Sequence, residues 1–498
     1  MIQPTPPIEL TGTGSHLGAE VVALLDDDTL AELAAACTID TELAARAEVS
    51  RDWWPLSMHW ALHGEAPAVA AVVARPRSTE EVAAVLAVCH RRRIPVTPAG
   101  GRSGVCGASI PVFGGVLLDL TALVGTAGNV ISEIDVASGV VEVWAGAFGP
   151  DLERELHAHG LSVGHFPQSF DIATVGGWVA CRGAGQYSTR YGKIEDIVVG
   201  LEVVLADGRV IRTGGAPAAA VGPDLNQVFI GSEGTLGVVT RVQLRAHPLP
   251  PAERRAVWSF ADLSTGIEAC RQILRRGATP AVLRLYDAAE SQRGQAGDGS
   301  ECILLVLDEG DELLVDATIA MIADACAGLG ATSLDTDRVE RWLHHRNDTS
   351  ALQALTRKGY VVDTLEIAAP WSCLDRVVAE VEAAMLAVPH ARAATCHLSH
   401  SYADGACLYF TFAATPPPGE VDATYVALWD AGQRAVLRAG GNLSHHHGVG
   451  LNRSRFVAEA LGPALDVLAS IKTALDPQGI LNPGKLGLTS PFGEVAWP

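Results

Sequence analysis

The sequence predicts an α+β protein of two main domains, on three observations. The chain has 498 residues, more than one ordinary core accommodates. A proline cluster, His247-Pro-Leu-Pro-Pro251, separates two stretches of different pattern. Before it, short apolar strands are punctuated by glycine-rich turns. After it, helices alternate with strands, the pattern of an antiparallel sheet covered by helices. Forty-eight per cent apolar residues and 51 glycines suit such a fold with many tight turns.

Residues 1–65 read as a helical, peripheral extension anchored by Trp53-Trp54-Pro55 and Trp60. Residues 70–76 form a buried strand, and 94–97 form the next. Between them Ser78-Thr-Glu-Glu81 caps a helix, its side chains serving N–H groups that the first turn leaves unpaired. This βαβ unit ends in Pro98-Ala-Gly-Gly-Arg-Ser-Gly104. Further strands are predicted at 115–120, 140–145, 197–205, 210–213 and 237–245. Beyond the boundary come helices at 265–276, 316–328 and 426–439, and strands at 281–285, 302–307 and 407–413. A strand-to-helix junction is predicted at 362–371, and a terminal helix that stops at Asp476-Pro477. The expected domains are an extension 1–65, a first domain 66–247, a second 248–444, and a segment 445–498 returning to the first.

A formal charge of −21 argues against nucleic-acid or anionic-membrane partners and favours a soluble enzyme acting on a small-molecule or lipid-like substrate. The ten cysteines stand singly with no C-x-x-C pair, so iron–sulfur and structural zinc sites are not expected. Residues 1–14 show no charged-then-apolar leader, and no apolar run reaches spanning length. A cytoplasmic homodimer with reduced thiols, touching membranes at most peripherally, is expected. Few lysines and alanine-rich helices suggest a high-GC bacterial coding sequence.

The turn Pro98-Ala99-Gly100-Gly101-Arg102-Ser103-Gly104 lacks both the G-x-G-x-x-G spacing and a P-loop lysine. Its glycines still allow backbone amides to converge on a pyrophosphate, with Arg102 adding charge. Pro167-Gln-Ser-Phe-Asp-Ile-Ala-Thr-Val-Gly-Gly-Trp178, Arg182-Gly-Ala-Gly185, Tyr191-Gly-Lys-Ile-Glu-Asp196 and Ile230-Gly-Ser-Glu-Gly-Thr-Leu-Gly237 follow. In this order, from about 68 to 245, the motifs resemble the PCMH-type FAD-binding domain of the vanillyl-alcohol-oxidase superfamily. The resemblance implies a two-subdomain FAD-binding domain followed by a substrate (cap) domain. It places the pyrophosphate on residues 98–104. It lines the flavin with Pro167, Gln168, Ser169, Asp171, Ala173, Thr174, Gly176, Gly177, Ala180, Cys181, Arg182 and Gly183. Ser232, Glu233, Gly234, Thr235, Gly237 and Val238 close over the dinucleotide. Val105 stands where covalently flavinylated relatives carry a histidine, so non-covalent FAD is expected.

In the second half Arg284 interrupts the apolar strand Leu283-Arg-Leu-Tyr-Asp287, where Asp287 or Glu366 would be its ordinary partner and a substrate anion the alternative. His397-Leu-Ser-His400 precedes Tyr409, and spacing i, i+3 on a regular strand sends His397 and His400 to opposite faces, which weakens a metal reading. Ser444-His445-His446-His447-Gly-Val-Gly450 places three imidazoles in a row. On a strand at most two would share one pocket; metal, pH switch and anion pocket all remain open.

Arg284, Asp363-Thr-Leu-Glu366, Gly405-Ala-Cys-Leu-Tyr-Phe410 and the histidine run together resemble the alkyldihydroxyacetonephosphate synthases, flavoenzymes of ether-lipid synthesis. That resemblance implies Tyr409 as acid/base, His445, His446 and His447 as an active-site run, Arg284 beside the substrate, and no metal. It implies removal of a proton next to a ketone, expulsion of an acyl carboxylate, retention of the carbon skeleton on flavin N5 and attack by a fatty alcohol. Cations around Tyr409 are expected to lower its pKa. FAD-linked D-2-hydroxyacid dehydrogenases are the alternative, and an inactive flavoprotein scaffold a third reading. The helix arginine of the synthases is missing: Leu352 or Gln353 stands near its place. Either Arg346 or Arg357 substitutes for it, or the phosphate contact is absent; His400 is also assigned to substrate.

Overall fold

The structure is a computed structural model that describes residues 14–17, 25–348 and 350–495, with the side chains of 350–352 left aside. The leader reading for 1–14 therefore lies almost wholly outside the described residues. In the first half, β1 (Thr38–Asp40), β2 (Val72–Arg75), β3 (Val96–Ala99) and β4 (Val116–Asp119) form a sheet in the order β1-β2-β4-β3. The βαβ unit is present, but β4 lies between its two strands and pairs in parallel with each. A second sheet is antiparallel, built from β5 (Ile131–Asp135), β6 (Val140–Trp144), β7 (Val198–Val204), β8 (Val210–Gly214) and β9 (Val238–Arg245), in the order β8-β7-β9-β6-β5. Its apolar faces share one core with the helix Thr79–Arg92, whose N-cap Ser78 accepts from Glu81 N as the motif predicts.

The extension is less peripheral than predicted. It donates β1 to the first sheet, and Trp54 and Trp60 lie in the core of the second half, beside Phe410 and Trp429. Trp54 Nε1 donates to Tyr425 OH at 2.9 Å, which in turn donates to Asp363. Two indoles supply large apolar area that a helical hairpin alone would leave exposed.

The second half is built on one seven-stranded sheet. Its strands are β10 (Ala252–Phe260), β11 (Val282–Tyr286), β12 (Cys302–Gly310), β13 (Thr332–Leu334), β14 (Val361–Pro370), β15 (Ala391–Ser401) and β16 (Gly405–Ala414), in the order β13-β10-β12-β11-β15-β16-β14. All pairings in it are antiparallel. One face, with Leu365, Leu398, Leu408 and Phe410, is buried under the helices Leu263–Arg275, Leu374–Leu386 and Val421–Arg438. The opposite face carries Arg284, Glu366, His397 and Tyr409, because side chains alternate along each strand.

Candidate active site

Directly opposed residues of an antiparallel pair point the same way. Tyr286 opposes His397, His397 opposes Tyr409, and Tyr409 opposes Glu366. Arg284, Cys407 and Thr364 lie two residues along their strands from members of that row and so share the face. His400 joins it against the sequence expectation. The β15–β16 register shifts between Leu398 and His400, which leaves Ser399 as an extra residue and brings His400 opposite Cys407. The bulge restores parity and puts His397 and His400 on one face.

The histidine run is not a strand either. Residues 444–448 bend around the Glu366 carboxylate, which accepts from the backbone N–H of His445 (2.5 Å), His446 (3.1 Å) and His447 (2.8 Å) and from Ser444 Oγ. Such a nest of successive N–H groups is an anion-binding shape, filled here by the protein's own carboxylate. Arg453 adds a guanidinium at 2.7 Å, and both it and Glu366 are fully buried. Burial opposes ionisation of Glu366, but Arg453 and the neighbouring rings hold its carboxyl well below the usual range. The bend turns all three rings toward the polar sheet face. His445 stacks on His400 at 5.1 Å, His446 lies 6.1 Å from Tyr409, and His447 meets Tyr409 edge-on at 5.5 Å.

Burial pushes the imidazoles down, to about 3 for His445, well below the normal value for His446 and to about 4 for His447. His400 moves the same way for the same reason. The rings are therefore neutral at pH 7, and of the cationic field expected to acidify Tyr409 the histidines contribute nothing while Arg284 still acts in the expected direction. Burial, with Glu366 and Asp363 behind it, pushes the Tyr409 hydroxyl up instead, and it donates to Thr364 Oγ1 at 3.1 Å.

Arg284 takes neither expected partner. Asp287 accepts from Glu290 N and Cys396 N, and Glu366 is held by Arg453. The Arg284 guanidinium donates to Tyr286 OH at 3.1 Å and to His397 Nε2 at 2.7 Å. Because an arginine only donates, His397 must carry its proton on Nδ1, where Glu290 accepts it at 2.7 Å. Arg284 also lies 5.5 Å from the ring centre of Trp342, and Arg346 lies at the same distance from that ring. Arg346 is further enclosed by Phe166 and Tyr187, and its Nη1 is buried without a partner. Arg357 is exposed, and Gln353 is buried with neither amide atom bonded.

Four ligand-type atoms of Glu366, Cys407, His445 and His446 lie within 4.8 Å of one another. The Glu366 oxygens and both His445 nitrogens already have hydrogen-bond partners, so no metal is assigned there.

The first-half loops converge as the sequence suggests. A Cβ on Gly101 would stand 2.0 Å from Ile172 O, one on Gly100 2.3 Å from Thr174 Oγ1, and one on Gly234 2.9 Å from Pro98 Cγ. Among the described residues, the amides of Gly101, Arg102, Ser103 and Gly104 donate to no protein acceptor, a donor set that fits a pyrophosphate. Nearby, His165 and Trp178 pack at 4.8 Å, and both His165 ring nitrogens and Trp178 Nε1 are buried without partners, as a polar heterocycle would require. Glu233 differs from its expected role. Its carboxylate accepts from Val449 N (2.6 Å) and Gly450 N (2.9 Å), so it ties the closing loop to the histidine turn rather than facing a dinucleotide. The sequence reading also missed Ser188 and Tyr402, which bond to each other and to His400 and His445. Only the Tyr402 position beside a turn hinted at them.

Gly101→Ala should abolish FAD retention, because its Cβ meets backbone rather than a movable side chain. Protein purified without the flavin absorbance band is the expected outcome, and full flavin content would show that the loops relax.

Two family models match the chain: an FAD binding domain over residues 70–214 and the C-terminal domain of FAD linked oxidases over 249–486. The FAD-linked oxidoreductase YgcU of Escherichia coli K12 is 33% identical over 84% of this chain and 89% of its own length. Alkyldihydroxyacetonephosphate synthase of Dictyostelium discoideum is 28% identical over 83% of this chain and 73% of its own. The glycolate oxidase subunit GlcD of Bacillus subtilis is equally identical, 28%, over 84% and 88%. A crystal structure of an alkyldihydroxyacetonephosphate synthase superposes with a TM-score of 0.77 at 22% identity, covering 97% of this chain and 91% of that one. The convergent glycine loops with their free amides, the unpartnered His165 and the matches over both halves lead to one conclusion: the chain belongs to the FAD-linked oxidase family, with FAD as its cofactor.

Proposed function

We propose that the chain is an alkyldihydroxyacetonephosphate-synthase-like transferase, which exchanges the acyl group of acyl-dihydroxyacetone phosphate for a fatty alcohol. The observation that carries this reading is the pair Arg284 and Arg346. Two guanidiniums that form no ion pair among the described residues each lie 5.5 Å from the centre of the same indole ring, a provision for a dianion such as a phosphate monoester. D-lactate or glycolate is a monoanion and needs one. The equal likeness to a glycolate oxidase subunit keeps FAD-linked oxidation of a 2-hydroxyacid as the competing reading.

In this reading bound FAD supplies an electrophilic ring system, held non-covalently. Val105 offers no attachment, and burial pushes the Cys106 and Cys181 thiols up, the latter to about 12, so neither is a thiolate at neutral pH. Residues 66–247 hold the cofactor, 248–444 form the cap, and 445–498 complete the site. Arg284 and Arg346 hold the phosphate, with His400 at the back of the pocket. Tyr409 stays protonated and donates a hydrogen bond to developing negative charge. The neutral imidazoles of His446 and His447 offer the proton acceptor beside it, with His445 behind them.

Incubation of the purified holoenzyme with acyl-dihydroxyacetone phosphate and hexadecanol should release fatty acid and form the ether. No ether and no release would overturn the proposal. Anaerobic mixing with D-lactate or glycolate should leave the flavin absorbance unbleached. Arg346→Ala should raise KM for the phosphorylated substrate by about 10- to 100-fold, the weight of one charge-assisted contact, with flavin content unchanged.

A further inference from the structure

A continuous hydrogen-bonded chain runs from the histidine turn into the seam between the two halves. His446 Nδ1 and His445 Nδ1 are 2.8 Å apart, and His445 Nε2 is 2.8 Å from Tyr402 OH. Tyr402 OH is 3.2 Å from Ser188 Oγ, which is 2.9 Å from His400 Nδ1. Ser188 belongs to the short helix Ser188–Tyr191 of the first half, whereas His400 lies near the end of β15 and Tyr402 in the β15–β16 turn of the second. Every member is both donor and acceptor, and each hydrogen bond has one proton to place. Setting the direction of one link therefore sets all the others.

We propose that His446, His445, Tyr402, Ser188 and His400 form a proton wire, in which Ser188 and Tyr402 are positioning residues that carry a proton between His446 and His400. In one direction His446 Nδ1–H donates to His445 Nδ1, His445 Nε2–H to Tyr402, Tyr402 to Ser188, and Ser188 to His400 Nδ1. A proton taken up at His446 Nε2 then moves each of these protons one acceptor onward. His400 gains a proton on Nδ1 and gives up the one on Nε2, which has no protein partner among the described residues, to a water molecule in the pocket, so one proton enters, one leaves, and no charge remains on the wire. Running the chain backwards returns the proton to the site and restores the starting tautomers. The wire serves either reaction considered above, since both begin with removal of a proton.

The fixed charges facing it are few. Lys193 Nζ bonds His445 O at 2.7 Å and pairs with Glu195 at 3.0 Å; Glu366 lies beneath the turn, with Arg453 bound to it; Arg284 reaches His397 on the neighbouring strand. Tyr409, Cys407 and His447 are the other titratable groups against the rings, and each is neutral at pH 7 because burial disfavours its charged form. Neutral rings are what such a wire needs, since an imidazolium has no acceptor nitrogen.

The test is nitrogen-15 NMR of histidine-labelled holoprotein, with rings assigned by single histidine-to-glutamine variants. Ser188→Ala should change the tautomer of His400, which it touches, and also of His445, which it does not touch. The His445 change should vanish when Ser188→Ala is made in the Tyr402→Phe background. Tyr402→Phe alone should shift His400 in turn, and Ser188→Thr, which keeps the oxygen, should restore the wild-type pattern. Ring stacking of His400 on His445 would carry only a small shift, and that shift would survive in the Tyr402→Phe background. A change confined to His400, or one on His445 that persists without the Tyr402 hydroxyl, overturns the wire. Flavin content and melting temperature show that each variant is folded. Should Ser188→Ala lose flavin, Tyr402→Phe, which removes a single oxygen, decides alone through its effect on His400.

Discussion

Glu366→Gln is expected to destabilise the protein by about 3–5 kcal/mol, the usual consequence of removing one member of a fully buried ion pair. Arg453 would keep its charge with no counter-ion. The new amide would also turn N–H groups toward some of the five donors that now converge on the carboxylate from Ser444, His445, His446, His447 and Arg453. The histidine turn should loosen with it, so turnover should fall as well. Urea unfolding of wild type and variant measures the gap, and an unchanged midpoint would remove Glu366 from its organising role. The pH dependence has a definite sign. The folded pKa lies below the ordinary 4.5, so the stabilisation is fully present above that value and is lost as pH falls through the folded one. The difference between wild type and Glu366→Gln should therefore be flat near neutrality and shrink below about pH 4.5.

Arg284→Met should lower turnover by about 10²- to 10³-fold while flavin content stays normal, the range found when a preorganised charge donor is removed from a closed site. Methionine fills the volume against Trp342 but removes the cation proposed to meet the substrate anion, and it frees His397 Nε2, which now accepts from the guanidinium. His397 would then have a vacant acceptor and pair more readily as a cation with Glu290 at 2.7 Å. Arg284→Lys should recover only part of the activity, because a compact ammonium lacks the planar fork that reaches Tyr286 and His397 while presenting further N–H groups to an anion. Turnover within threefold of wild type for Arg284→Met, measured with substrate saturating, would remove Arg284 from the chemistry.

The cofactor half was legible because its signals are local. Gly100, Gly101 and Gly234 sit in short contiguous motifs, and the strands around them are continuous apolar runs. The strands of the second half were harder to read. β10, Ala252–Phe260, was missed because Glu253-Arg254-Arg255 gives its first turn of sequence a solvated look, although its partner β12 buries Cys302 through Asp308. The sequence marks Trp54 and Trp60 as anchors of the extension but carries no sign of how deeply they sit; their partners Tyr425 and Asp422 lie more than 360 residues away.

The sequence by itself determined the α+β class, the FAD loops and which polar residues interrupt the second sheet, since alternation and turn chemistry act over a few neighbouring residues. Only the tertiary structure decided how those polar residues meet. One bulged residue, Ser399, put His397 and His400 on the same face, and one distant carboxylate, Glu366, bent three histidines out of a strand. Burial then settled their charge, leaving the imidazoles neutral and Tyr409 protonated. Register, burial and hydrogen bonds between residues far apart in the chain are properties of packing, and no local pattern encodes them.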